Sequence, residues 1–276
     1  MNENFNIITL VDQLKKDGYL VLREYYDQKY INILKDLILL HKKIIADPLY
    51  KETIAPVGNQ NILKNDETLN NLPFYDLNFL NAATQGLHLD IIGYFLNDPY
   101  YGLIPEDENN FILAQSNARN NLNALPFHVD VRLKTPGTQT WSMQTLLSLD
   151  SLSENNGSLI VRKYSHLNDK MPKMKFNYVD YENIETSPGD LIIFYSKLDH
   201  ATSHNKNKQS SWSILNTYRS WWAKPQYNFH NMIKKEYINK ISVQQFYLLG
   251  GCSIPSSNPI STSSMRHGYN KLFEND

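Results

Sequence analysis

Apolar and polar residues alternate with a helical period through much of the first hundred residues. LVDQLKKDG is an amphipathic segment closed by Gly18, and Asp27 precedes a longer one, QKYINILKDLILLHKKII. LHLDIIGYFL predicts a further helix, and YLVLRE predicts a strand between the first two helices. The segment from residue 53 to residue 75 has an irregular sequence and predicts a loop. Residues 1–105 are therefore expected to be mainly helical.

The pattern changes after about residue 110, where short β-branched and aromatic segments follow one another. Turn residues such as Asn155-Asn156-Gly157 and Pro188-Gly189-Asp190 separate them. The predicted strands are FILAQS, TWSMQTLLSL, SLIVRK, NIETS, DLIIFYS and SSWSILNTYRSWW. Many consecutive short strands favour a closed or double-sheet architecture over a parallel sheet. The predicted fold is mainly β, a jelly-roll core (double-stranded β-helix) packed by flanking N-terminal helices.

The chain shows no internal repeat and no low-complexity linker, which predicts a single domain over residues 1–276. Its expected parts are the helical support over 1–105, the jelly-roll core over 106–225 and a C-terminal helix and tail over 226–276. VQQFYLLGG supplies that helix, and the Ser/Pro-rich segment after it could act as a lid over the barrel mouth.

Composition narrows the class of partner. A formal net charge of −1 gives no electrostatic footprint for nucleic acid. Apolar runs stay below the roughly 20 residues of a membrane span, and the first residues lack the pattern of a signal peptide. The single cysteine, Cys252, cannot form a disulfide within the chain, which fits a reducing cytoplasm. A cytoplasmic monomer or homodimer acting on a small molecule is expected.

The sharpest local motif is PFHVDVR, in which His128 and Asp130 lie two positions apart. Residues i and i+2 of a strand point to the same face. An imidazole and a carboxylate side by side make two corners of a facial triad for Fe(II), and a second histidine completes it. Taken alone, the motif is more typical of polar residues at the end of a strand.

The third corner has two candidates in DHATSHN, His200 and His204. An apolar strand, DLIIFYS, leads into them about seventy residues after the first pair, which leaves room for the four or so strands that a jelly roll places between. Spacing alone does not choose between the two histidines.

Several motifs together resemble the phytanoyl-CoA dioxygenase family of non-haem iron, 2-oxoglutarate-dependent oxygenases, in particular ectoine hydroxylases. The resemblance covers about residues 12 to 222, in the family's order. It is carried by KKDGYLVLREYYDQKYINILKDLI, LSLDSLSENNGSLIVRKYSH and GDLIIFYSKLDHATSHN, the second departing from the family's Pro-Gly-Ser-His at Arg162, Lys163 and Tyr164. The family's distal ligand precedes an asparagine by five residues. The resemblance therefore implies that His128, Asp130 and His200 bind Fe(II), with Asn205 following and His204 in a solvated turn.

One family residue is missing. Most relatives carry an arginine about eleven residues after the distal histidine, and it pairs with the far carboxylate of 2-oxoglutarate through two parallel hydrogen bonds. The usual Arg-x-Ser is here Ser211-Trp212-Ser213. Arg219 lies on the same predicted strand, too far along it to substitute.

A replacement cation is expected in AQSNARNN. In relatives resembling ectoine hydroxylase, a glutamine and, four residues later, an asparagine of this segment reach 2-oxoglutarate, and Gln115 and Arg119 have that spacing. We hypothesise that Arg119 pairs with the cosubstrate, with Ser211 and Ser213 as neutral donors. Arg132 is the second candidate, because it is expected to share the strand face of His128 and Asp130, although we assign it to an anionic substrate. The alternative for Arg119 is an ordinary surface arginine.

The resemblance implies hydroxylation with Fe(II), 2-oxoglutarate and O2, although desaturation or ring closure needs no other ligands. Asp130 speaks against halogenation, since halogenating relatives lack this carboxylate. Arg132 and Lys163 suggest an acidic group on a small substrate, and Trp141 could line its pocket. An iron enzyme of this fold without 2-oxoglutarate would explain Ser211 directly, and so would a non-catalytic metal-binding relative. A purely structural jelly roll has no reason to keep the triad.

Overall fold

The computed structural model describes residues 6–45, 67–102, 104–105, 107–131, 135–168 and 181–254. The helices in these ranges are α1 Ile7–Asp17, α2 Gln28–Ile45, α3 Leu72–Tyr75, α4 Leu77–Thr84, α5 Leu87–Leu96, α6 Phe229–Met232, α7 Lys235–Ile238 and α8 Val243–Leu248. The strands are β1 Tyr19–Leu22, β2 Glu67–Asn70, β3 Phe111–Asn120, β4 Leu125–His128, β5 Ser142–Ser148, β6 Leu159–Val161, β7 Glu182–Ile184, β8 Leu191–Tyr195, β9 His200–Thr202 and β10 Trp212–Ser220.

The strands form two antiparallel sheets. Within the described ranges the larger sheet has the order β1-β8-β5-β10-β3-β2, and the smaller has the order β4-β9-β6-β7. From β3 to β10 the chain passes back and forth between the sheets, with β6 and β7 consecutive in the smaller one, which gives the double-sheet jelly roll. The predicted fold class is confirmed: a mainly β core with helices packed beside it.

The central strands of the larger sheet are covered on both faces. Every residue of β5 and β8 is buried, because α5 packs against β5 and β10 on one side and the other side faces the interior of the jelly roll. This explains why DLIIFYS reads as an almost continuous apolar run, whereas TWSMQTLLSL buries polar residues as well, namely Ser142, Gln144, Thr145 and Ser148.

The N-terminal helices form where their periodicity predicts them. The Asn6 side chain accepts a hydrogen bond from the backbone N–H of Ile8 at the start of α1, and Gly18 ends that helix at φ 85°. α1 buries Val11 and Leu14 against the core. None of the helices in the described ranges is long and apolar enough to cross a membrane.

The expectation of a loop over residues 53–75 is wrong at its C-terminal end. Glu67–Asn70 forms β2, which pairs with β3 at the edge of the larger sheet, and Leu72–Tyr75 forms α3. Leu69 and Leu72 are buried there. Pairing with β3 satisfies backbone groups of both strands, which local propensity does not register. The α4 helix was not predicted either. The α8 helix matches the helix predicted from VQQFYLLGG. The tail after Ile254, which was expected to act as a lid, lies outside the described residues.

Candidate metal centre and its cavity

Three side chains converge at one point, two from neighbouring strands and one from the turn that follows the first strand. His128 ends β4 and His200 begins β9, and the two residues are direct partners in the antiparallel pairing. Their ring centroids are 4.3 Å apart. Asp130 Oδ1 lies 3.6 Å from His128 Nε2, and Asp130 Oδ2 lies 3.4 Å from His200 Nε2. All three ligand atoms are within 4.8 Å of one another.

Asp130 reaches this point from just beyond the strand. The expectation that it shares a strand with His128 is wrong, because β4 ends at His128. The backbone N–H groups of Asp130 and Val131 both donate to the carbonyl of Ser196, at 2.9 and 3.1 Å. This turn anchors the backbone against the segment after β8 and keeps the carboxylate beside the two imidazoles.

Hydrogen bonds fix the tautomer of both histidines. His128 Nδ1 is 2.8 Å from the carbonyl oxygen of Pro126, and His200 Nδ1 is 2.9 Å from that of Leu198. A carbonyl oxygen only accepts, so each Nδ1 carries the proton and donates it. Each Nε2 therefore presents its lone pair to the centre, as a metal ligand requires.

A buried glutamine orients the carboxylate. Gln144 lies on the inner face of β5, is 1% exposed and donates from Nε2 to Asp130 Oδ2. Thr217 on β10 faces the other end of the same amide. Partners of this kind hold a ligand side chain in one orientation and are as much part of a metal site as the ligands.

The three groups differ in how readily they bind a proton. Burial lowers the pKa of His200, and the charge of Asp130 only partly opposes this. Burial also disfavours the charged form of His128, but the neighbouring carboxylate outweighs it and raises its pKa. Burial would raise the pKa of Asp130, yet the two imidazoles and the Gln144 amide lower it overall. The ionised carboxylate is thus the favoured form.

Two nitrogen donors and one carboxylate oxygen are the donor set of a facial Fe(II) site. The Asp130 separations of 3.6 and 3.4 Å allow one ion to lie about 2.1 Å from each atom. His204, the alternative third ligand, is exposed and lies outside this cluster. The structure therefore brings together His128, Asp130 and His200, the set implied by the resemblance.

The triad opens onto a cavity of about 320 Å³ between the sheets. Gln115 and Arg119, four residues apart on β3, both line it, and so does Asn117 between them. Arg119 is paired across the sheet with Ser213 of β10, which also lines the cavity. The Arg119 Nη2 group donates to the carbonyl of Asn123 at 3.1 Å. The structure thus places a half-buried cation in the same cavity as the triad rather than on an outer surface.

Ser211 does not line this cavity, contrary to its expected role as a cosubstrate donor. It is completely buried behind the wall, where its N–H donates to Asn120 Oδ1 at 3.0 Å. Asn205 Nδ2 donates to its hydroxyl at 3.1 Å. Gly157 leaves little room here, since a Cβ on it would lie 3.3 Å from that hydroxyl. The position of the family arginine is closed by a compact polar network.

Two of the expected substrate residues lie elsewhere. Lys163 pairs with Glu182 at 2.7 Å on the surface, away from the cavity lining, because it follows β6 at its outer end. Trp141 lies just before β5 and does not line the cavity either; its ring contacts Arg219 and Trp222 instead. Arg132 lies outside the described residues.

Sequence reasoning missed several polar residues of this site. Gln144 is the most telling, since it is a large polar residue on a fully buried strand and shares a face with Leu146, which lines the cavity. Alternation of polar residues in AQSNARNN could also have indicated Asn117. Thr68 and Asn70 line the cavity from β2, a strand that local propensity did not indicate.

No protein-family model and no curated protein sequence matches the chain. Solved structures do. HygX from Streptomyces hygroscopicus, crystallised with nickel and 2-oxoglutarate, aligns with a TM-score of 0.60 at 12% identity, over 79% of this chain and 88% of that one. SnoN, a non-haem α-ketoglutarate-dependent epimerase from nogalamycin biosynthesis, aligns at 0.56 and 13% identity, over 80% and 84%. At these identities the likeness establishes a shared fold.

Proposed function

We propose that this protein is an Fe(II)- and 2-oxoglutarate-dependent oxygenase of the phytanoyl-CoA dioxygenase type, hydroxylating a small metabolite. The observation that carries the proposal is the convergence of His128, Asp130 and His200 on the same cavity as Arg119. A metal triad and a cation suited to a dicarboxylic keto acid are the two features that this chemistry requires.

The metal would be held by His128 Nε2, His200 Nε2 and a carboxylate oxygen of Asp130. Fe(II) bound there, with 2-oxoglutarate and O2, supplies an oxidant able to attack a C–H bond, while the keto acid is converted to succinate and CO2. Three protein ligands leave open positions for the reactants. The Pro126 and Leu198 carbonyls and the Gln144 amide keep the ligands oriented before any metal arrives.

Arg119 is the residue that would bind the far carboxylate of 2-oxoglutarate. Its guanidinium can donate two parallel hydrogen bonds, and Gln115 and Ser213 add neutral donors from the same wall. Arg119, which is paired with Ser213, would therefore supply from β3 the positive charge that relatives carry at the position of Ser211, just before β10. A cavity of about 320 Å³ is at the small end of ligand sites, as a five-carbon keto acid requires.

Apolar side chains also line the cavity, beside its polar groups. They are Leu125, Leu146, Leu159, Phe194 and Leu215. The Phe194 ring lies edge-on to His200, with centroids 5.3 Å apart. Apolar surface near Arg119 would strengthen its pairing with a carboxylate, because water competes less for the charged groups there.

The fold neighbours support the cosubstrate, since the HygX structure holds nickel and 2-oxoglutarate and SnoN is described as α-ketoglutarate-dependent. SnoN is an epimerase, so this fold also serves reactions other than hydroxylation. A jelly-roll iron enzyme without 2-oxoglutarate is the alternative suggested by Ser211. The cation at Arg119 disfavours it, because such an enzyme has no need of a positive charge in this cavity.

The test is anaerobic loading with Fe(II), followed by 2-oxoglutarate and O2, with succinate as the readout. Succinate should form faster than with the metal-free protein, and His200→Gln should abolish the difference, whereas His204→Gln should not. Tight Fe(II) binding with no succinate, with or without a library of small acids, would favour the enzyme class that does not use 2-oxoglutarate.

A further inference from the structure

The inner face of β10 carries a second arginine. Ser213 and Leu215 line the cavity from this strand, and alternate residues of a strand share a face, so Arg219 projects from the same side. Ser213 is paired with Arg119, and six residues of a strand span roughly 20 Å. Arg119 and Arg219 therefore lie far apart along one inner face.

Along the direction of β10, Asp130 lies between the two arginines. Gln144, which donates to Asp130, is paired with Thr217, two residues before Arg219. Burial lowers the pKa of the Arg219 guanidinium, and the charge of Asp130 acts in the opposite direction. Arg219 is thus an inward-facing cation near Asp130, beyond the cavity lining and on the side away from Arg119.

Two donors in this region have no acceptor among the residues that the structure describes. Arg219 Nη1 donates to the carbonyl of Lys224 at 2.7 Å, but its Nε is buried without a hydrogen-bond partner among the described residues. The guanidinium carbon is 5.7 Å from the ring centroid of Trp141, whose indole Nε1 is also buried and unpartnered there. A buried donor without an acceptor is costly, so neighbouring unmatched donors indicate a place for a ligand acceptor.

We infer that Arg219 and Trp141 form a subsite for a carboxylate group of the substrate. The bond to Lys224 uses one end of the guanidinium and leaves the edge made of Nε and Nη2, which presents two parallel N–H donors to a planar carboxylate. Trp222, with its ring centroid 6.0 Å from that of Trp141, adds apolar surface beside it.

The inference rests on the proposed function in one respect: it makes the reacting substrate a small carboxylic acid. With Arg119 assigned to the cosubstrate, Arg219 would hold the substrate acid on the opposite side of the triad and so fix which carbon faces the metal. A single negative charge also suits a position near Asp130 better than the double charge of a phosphate.

The binding test uses metal-free protein, with benzoate as the carboxylate probe and benzamide as its neutral counterpart, followed by ligand-observed NMR. Benzoate should bind at least about tenfold more tightly than benzamide. Arg219→Gln should weaken benzoate at least about tenfold, and Trp141→Phe, which keeps the ring and removes the N–H, by about threefold. Arg219→Lys keeps the charge without the forked donors and should fall between. Lys163→Gln, which removes a surface cation outside the cavity lining, is the matched control and should bind as wild type does.

The inference is overturned if wild type binds no benzoate at millimolar concentration, if benzamide binds equally well, or if Arg119→Gln rather than Arg219→Gln removes binding. Should Arg219→Gln fail to fold, Arg219→Lys and Trp141→Phe decide the matter. Neither iron nor 2-oxoglutarate is present, so a failed succinate assay would count against the proposed function and leave this result standing.

Discussion

His128 and His200 face each other directly across the β4–β9 pair, although β5, β6, β7 and β8 lie between them in the chain. Each donates its Nδ1 proton to a carbonyl oxygen two residues before it, that of Pro126 or Leu198. Both rings therefore have the same tautomer, and both direct Nε2 toward Asp130.

Replacing His200 should destroy metal binding. His200→Gln removes one of three ligands, and Co(II) or Fe(II) affinity should fall by more than the tenfold to hundredfold typical of an outer-shell change. Anaerobic calorimetry measures this, and circular dichroism checks the fold. His204→Gln, at the exposed histidine four residues on, should bind metal as wild type does. Equal losses in the two variants would contradict the assignment.

Replacing Arg119 should lower the affinity for 2-oxoglutarate and leave the affinity for the metal ion unchanged. In Arg119→Gln the charge-assisted pair with 2-oxoglutarate is lost, so its affinity should fall about tenfold to a hundredfold. Calorimetry measures the 2-oxoglutarate affinity with Mn(II)-loaded protein and the Mn(II) affinity with metal-free protein. Arg132→Gln is the comparison variant and should have little effect on 2-oxoglutarate. The reverse pattern would move the anchor to Arg132.

Gln144 should matter for metal affinity although it is not a ligand. Gln144→Met keeps much of the volume and removes the amide that holds Asp130 Oδ2, so metal affinity should fall about tenfold to a hundredfold. Gln115→Met changes a glutamine of the same cavity that does not hold Asp130, and it should leave metal affinity unchanged in the absence of 2-oxoglutarate. An unaffected Gln144→Met would show that Asp130 needs no such support.

The turn before β8 should not tolerate a side chain. Gly189 has φ +95°, and a Cβ there would lie 2.2 Å from the backbone oxygen of Tyr26. Gly189→Ala should lower the free energy of unfolding by at least about 2 kcal/mol in urea denaturation. Gly102→Ala, where a Cβ meets nothing within 4 Å, should change it by less than about 0.5 kcal/mol. Similar values for both would refute the backbone argument.

His88 should make stability depend on pH. Burial lowers its pKa from 6.5 to about 4, and its ring nitrogens lie 3.0 Å from the Tyr25 hydroxyl and 3.3 Å from that of Tyr218. Below pH 6.5 His88 is protonated in the unfolded chain but stays neutral in the folded chain until the pH approaches 4. The free energy of unfolding therefore decreases as the pH falls from 6.5 toward 4, by up to about 3 kcal/mol.

The measurement for His88 is urea denaturation at several pH values. His88→Gln can keep hydrogen bonds to both hydroxyls without titrating, so its stability should fall less steeply than that of wild type between pH 6.5 and 4. The exposed His204→Gln serves as control and should follow the wild-type profile. Parallel profiles for wild type and His88→Gln would remove His88 as the cause.

Much of the fold could be predicted because its signals are local. The α2 helix covers the whole of QKYINILKDLILLHKKII, and most predicted strands contain an observed one. Helical and strand periods are properties of consecutive residues and do not depend on contacts with distant parts of the chain. The β2 strand escaped because its stability comes from pairing with β3 rather than from its own residues.

The sequence by itself determined the element pattern and the types of group available for chemistry, including the His-x-Asp motif and the Gln115–Arg119 spacing. Only the tertiary structure decided which of these groups meet. It turned Arg119 into the cavity, left Lys163 at the surface, closed Ser211 behind the wall and brought Arg219 near Asp130. The reason is physical: the direction of a side chain follows from its own strand, but its neighbours follow from the pairing of strands that are distant in the chain, and residue spacing carries no record of that pairing.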